Sequence, residues 1–92
     1  MIKSFKCKHT ENLFKGIKTK RFNMIAKIAR MRLTGLNIAS SLDDLKCPPG
    51  NKLEALKGDR KGQHSIRINK QWRICFKWQR DNAYDVEIVD YH

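Results

Sequence analysis

Acidic residues are scarce in this chain. Nine Asp and Glu stand against 20 Lys and Arg among 92 residues, a formal net charge of +11 and a pI near 10.0. Long apolar runs are missing too. Nothing approaches the ~20 residues of a membrane-spanning helix, and the opening MIKSFKCKH has no apolar core of the kind a secretory signal needs. The cytoplasm is the expected location. Cysteine is sparse: Cys7, Cys47 and Cys75 are odd in number and widely spaced, so no disulfide framework is expected. Cys7-Lys8-His9 is half a metal site without a second close pair. No metal ion or other cofactor is therefore expected. There is no internal repeat, no low-complexity tract and no linker, so residues 1–92 read as a single domain. Such a domain buries about two-thirds of its unfolded surface and has modest stability.

What is present is positive charge. A field of this sign attracts polyanions, with nucleic acid the commonest. A membrane surface would call for a basic amphipathic helix with bulky apolar residues opposite, and that pattern is only partly met. Solubility alone needs a net charge of only about 2 to 8.

IKSF, residues 2–5, opens the chain as a short strand. HTENLFKG follows as a turn of helix, with Thr10 or His9 as cap and Gly16 as stop. KTKRFNMIAKIARMRLTGLN, residues 18–37, is the main helix. Ile25, Ile28, Ala29 and Leu36 share one arc at helical spacing, with Met24 and Leu33 at its edges. Arg32 falls on that arc and must meet an acid or snorkel. Ser41 to Asp44 has the form of a capping box, and CPPGN ends helical structure. From there the period is two. HSIRIN is a strand with Ile66 and Ile68 on one face, Asn69-Lys70-Gln71 a turn, and WRICFKW the clearest strand. Trp72, Ile74, Phe76 and Trp78 face one side, and Arg73, Cys75 and Lys77 the other. QRDNA is a hairpin turn before the last strand, YDVEIVDYH. Short turns between strands imply an antiparallel sheet. Helices first and a strand meander after them give an α+β fold, with helices packed on one sheet face.

The other sheet face should be open, because a core does not tolerate two unpaired cations. Lys57, Arg60, Lys61 and His64 border it. Asp90 and His92 are two apart on the last strand and share a side, with Tyr91 on the other. Histidine moves protons near neutral pH, a carboxylate can orient it or act as base, and cations stabilise charge building on a phosphate. These are the parts for metal-free cleavage of RNA. A solvated histidine with no role is the plain alternative.

LEALKGDRKGQHSIRINKQWRICFKW, with VEIVDYH after it, resembles the HigB-type toxins of bacterial toxin–antitoxin modules, in the RelE/ParE superfamily. The resemblance runs from MIKSF to DYH. It implies a RelE-like fold, with two main helices on a curved antiparallel sheet of about four strands. It implies a ribosome-dependent endoribonuclease that cuts mRNA in the A site. The implied partners are the ribosome, mRNA and a helix-turn-helix antitoxin of HigA type, with operator DNA bound only through the antitoxin complex. Carried onto this chain, Lys57 and Arg73 would meet the scissile phosphate, Asp90 and His92 would share proton transfer, and Tyr91 would stack on a base or orient the ribose. Some members carry a histidine where this chain has Glu54, which can serve as general base or simply solvate a helix or loop with no role. Lys18, Lys20, Arg21, Lys27 and Arg30 would grip ribosomal RNA, while Arg60, Lys61 and Arg67 would meet mRNA. A gyrase poison of ParE type and a non-catalytic nucleic-acid-binding module are the competing readings. Trp72 and Trp78 could stack bases in the latter, but their alternation with Ile74 and Phe76 makes them core.

Overall fold

Alternation from Trp72 to Trp78 decides the layering. Ile74 and Phe76 are fully buried, and the two tryptophans pack half-buried at the margins of the core. The structure, a computed structural model, describes residues 1–90. Helix α1 (Lys8–Phe14) is followed by a 3-10 turn (Lys20–Ile25), helix α2 (Ala26–Ile38) and two further 3-10 turns (Leu42–Lys46 and Pro49–Asn51). Strand β1 (Glu54–Ala55), a 3-10 turn (Gly58–Arg60), β2 (Gln63–Arg67), β3 (Trp72–Gln79) and β4 (Asn82–Asp90) complete it. The sheet is antiparallel throughout in the order β1-β2-β3-β4. This is the expected α+β arrangement.

Local chemistry accounts for the connections. Gly16 ends α1 at φ +83, and Ile17 N–H reaches back to the Asn12 carbonyl at 2.8 Å. The Asp44 carboxylate accepts from the Ser40 and Ser41 N–H groups at 2.8 and 3.3 Å, the reach-back of the expected capping box. Asn69 Oδ1 accepts from the N–H groups of Gln71 and Trp72, both at 2.8 Å, and so closes the β2–β3 turn. Arg80 and Asp81 both have positive φ, as a two-residue hairpin loop between β3 and β4 requires. A bulge sets Asp85 and Val86 against Phe76 alone, with Asp85 at φ 52, and bends the sheet.

Four expectations need correction. The main helix begins at Ala26, because Phe22 leaves helical dihedrals (φ −116, ψ 20) and turns its ring edge-on to Trp72 at 5.7 Å. Leu33 sits at the centre of the buried arc with Ala29 and Leu36, which leaves Ile28 and Met24 outside. Neither His9 nor Thr10 caps α1. Cys7 holds that position, and Thr10 is buried, its hydroxyl accepting from Ile88 N–H at 3.0 Å. Residues 2–5 form no strand of their own. They run parallel along the outer edge of β4, through Ile2–Ala83 and Phe5–Val86 bridges.

Burial grades the three thiols. Cys47 is exposed, Cys7 half-buried and Cys75 buried, and desolvation pushes the Cys75 thiol up from its ordinary value. A folded-state pKa raised in this way contributes stability that is fully present below the ordinary thiol pKa and is lost as pH rises from there through the raised folded-state value. At pH 8 a thiol reagent should label Cys47 first, Cys7 more slowly, and Cys75 only after denaturation. Mass mapping that found Cys75 labelled promptly in folded protein would contradict this packing.

Candidate active site

The sheet face away from the helices carries Arg73, Cys75 and Lys77 from β3. Only Lys77 is exposed there. Arg73 is 9% exposed and Cys75 is fully buried, so the expectation of an open face fails at two of three positions. Arg73 can be buried because its donors are matched. Its Nε donates to Ser65 Oγ at 2.8 Å, and Nη2 donates to the Lys52 carbonyl at 2.7 Å and the Ser65 carbonyl at 3.4 Å. Nη2 also lies 3.2 Å from Glu54 Oε1. Over Cys75, Arg60 reaches across to β4, its Nη1 2.7 Å from Glu87 Oε1 and 3.2 Å from Gln63 Oε1. Paired, hydrogen-bonded cations are tolerated where lone ones are not.

Glu54 is thus a partner of Arg73, with a side chain still 54% exposed. Lys57 follows three residues later. It is exposed in extended backbone at the start of the Gly58–Arg60 turn, and Gly58 turns the chain there at φ +64. Glu54 and Arg73 therefore meet on one face, and the chain runs on from Glu54 past Leu56, whose N–H donates to the Gln63 carbonyl, to the Lys57 turn at the Gln63–Lys77 end of the sheet. Asp90 is placed differently. It stands opposite Trp72 at the end of β4, with Gln71 Nε2 donating to its Oδ2 at 3.1 Å. Alternation puts it on the side of Ile88 and puts Arg73, opposite Val89, on the other. Tyr91 and His92 lie outside the described residues. Among the described residues no three His, Cys, Asp or Glu side chains gather as metal ligands would.

The basic residues divide as well. Lys18, Lys20, Arg21, Lys27 and Lys61 are exposed, and the Arg21 guanidinium lies 5.7 Å from the Phe22 ring centre. Arg30 is half-buried, and its Nε donates to the Leu13 carbonyl at 3.1 Å, tying α2 to the end of α1. Arg67 is half-buried on β2 opposite Arg73. Sequence reasoning missed the residues that hold others in place: Ser65 and Lys52 for Arg73, Glu87 for Arg60, and Gln71 for Asp90. Period two in HSIRIN does put Ser65 opposite the apolar face, but which cation it meets depends on register.

The family model described as the RelE-like toxin of the type II toxin–antitoxin system HigB matches residues 3–92. The chain belongs to this family. Two relatives agree. Toxin HigB-1 of Vibrio cholerae is 39% identical over 80 residues, covering 85% of this chain and 84% of the relative. Endoribonuclease HigB of Proteus vulgaris is 37% identical over 93 residues, covering all of both chains. Among solved structures, a heterotetrameric YoeB-YefM toxin–antitoxin complex from Staphylococcus aureus matches with a TM-score of 0.58 at 18% identity, over 100% of this chain and 98% of that one. That likeness concerns the fold, a RelE-type pair of helices on a four-stranded antiparallel sheet. The HigB-like chain is accordingly a toxin of a type II toxin–antitoxin system.

Proposed function

We propose that this HigB-like toxin is an endoribonuclease that cuts mRNA in the ribosomal A site of the bacterial cytoplasm. Its partners are the ribosome, mRNA and a helix-turn-helix antitoxin of HigA type, through which alone it meets operator DNA. The observation that carries the reading is the Glu54–Arg73 pair at 3.2 Å on this sheet face, with Lys57 exposed at the turn three residues after Glu54. A base removes the 2′-hydroxyl proton, and the oxygen attacks the adjacent phosphorus. A cyclic phosphate forms, and an acid protonates the departing 5′-oxygen. Lys57 is free to approach the phosphate. Arg73 acts mainly by fixing Glu54 and the Lys52 backbone, since its guanidinium is mostly occupied. Asp90 and His92 supply proton transfer, and Tyr91 orients the nucleotide. The Proteus vulgaris relative is itself named an endoribonuclease. The ribosome would position the substrate, where effective molarity contributes much of the rate.

Mapping mRNA 5′ ends on induction tests this. New ends should appear inside translated frames and vanish from a reporter whose start codon is removed. Ends that persist without translation would refute ribosome dependence, and arrest with no new ends would favour a gyrase poison.

A further inference from the structure

Helix α2 buries one face and leaves an apolar stripe on the other. Ile28, Met31 and Ile38 are 46%, 61% and 74% exposed and recur at helical spacing, and Met24, in the turn before the helix, is 96% exposed. Gly35 lies on the same stripe. Glycine inside a helix is less favourable than alanine. Here neither a positive φ nor internal packing requires it, because a Cβ at Gly35 would meet nothing within 4 Å. The gap it leaves is on the outer surface. Beside it a cleft of about 90 Å³ opens between α2 and the 3-10 turns, lined in part by Met31, Arg32, Gly35, Pro48 and Asn51. Two polar atoms buried at this cleft, Arg32 Nε and Asn51 Oδ1, have no hydrogen-bond partner. Asn51 is only 5% exposed, and its Nδ2 is already given to the Leu45 and Cys47 carbonyls.

The charge around the stripe selects the occupant. From Asn12 to Leu42 the chain has seven Lys and Arg and no Asp or Glu. Lys27 and Arg30 border the stripe on one side and Arg32 on the other. We propose that this face of α2 docks an amphipathic helix with acidic flanks, supplied by the antitoxin, its backbone approaching closely at Gly35. This rests on the antitoxin partner proposed above. Methionine-rich stripes suit helix-in-groove recognition because their side chains adapt. A second copy of this chain would bring the same cationic rim, and +11 against +11 opposes self-association. A membrane surface wants a broad apolar face, not a narrow stripe broken by a glycine.

The test uses the full chain and the antitoxin encoded beside its gene, titrated against wild type, Met31→Asp/Ile38→Asp and Gly35→Ala. The double variant should bind at least 100-fold more weakly, while arrest of growth without antitoxin is unchanged. Gly35→Ala should raise Tm by roughly 4–8 °C and yet weaken binding about tenfold, which a purely structural glycine would not do. Wild-type affinity in both variants overturns the docking face and leaves the partner standing. Failure of wild type to bind the antitoxin overturns the partner itself. A wild-type dimer in solution that the double variant abolishes, or binding to phosphatidylglycerol vesicles that it abolishes, reassigns the stripe to self-association or to lipid.

Discussion

Arg73→Leu should destabilise the protein by about 3–5 kcal/mol, the usual cost of removing one partner from a buried, hydrogen-bonded ion pair. That is a large share of the roughly 5–15 kcal/mol of a typical domain. Leucine fills part of the volume but leaves Ser65 Oγ, the Lys52 carbonyl and Glu54 without their donor. Each buried acceptor then bears its own desolvation cost. Arg73→Lys should lie between, because one ammonium cannot reproduce a planar fork directed at several acceptors. Glu54→Gln should cost much less, since the Glu54 side chain is more than half exposed and water can replace the contact. Urea denaturation of the three variants gives the order. The linked functional result is loss of cleavage in Arg73→Leu through a displaced Lys52–Lys57 segment. Were Arg73→Leu to unfold at the wild-type midpoint and still lose cleavage, Arg73 would act on the phosphate directly and the account of its burial would be wrong.

Arg73 also marks where sequence reasoning stopped. Alternation in WRICFKW placed Ile74 and Phe76 in the core correctly, because a strand between two neighbours has only two faces. Gly16 and Asp44 were legible for a similar reason: a left-handed helix stop and a reach-back carboxylate are local chemistry. The same alternation put Arg73 and Cys75 on the second face but could not say what lies over it. That depends on register, which sets Ser65 beside Arg73, and on Arg60 crossing to Glu87, a contact 27 residues away in sequence. The break at Phe22 escaped notice because its cause is Trp72, fifty residues further on. Thr10 read as a cap until the edge of β4 supplied a donor for its hydroxyl. Resemblance gave the family and candidate roles for Lys57 and Asp90. Only the coordinates put Glu54 and Arg73 together on one face and Asp90, one register position away, on the other.

His92→Ala should reduce mRNA cleavage by a factor of roughly 10² to 10⁴, the range associated with loss of a general acid or base, and abolish growth arrest. The expectation rests on chemistry. Of the side chains assigned to the reaction, Lys57 is a cation suited to a phosphate, Arg73 is held by Ser65, Lys52 and Glu54, and Asp90 is a carboxylate already engaged by Gln71. Imidazole is the group that can give or take a proton near neutral pH. Stability should not change, in contrast to Arg73→Leu, and antitoxin binding should persist. Asp90→Asn should show a smaller loss. If Asp90 and His92 work as a unit, the double variant should be scarcely worse than His92→Ala, because groups acting together are not additive. Single-turnover cleavage on programmed ribosomes measures all three variants at saturating toxin, and so separates chemistry from binding. A multiplicative loss in the double variant would place Asp90 and His92 in separate steps. Full cleavage by His92→Ala would remove it from proton transfer and leave that role to Glu54, the exposed carboxylate paired with Arg73.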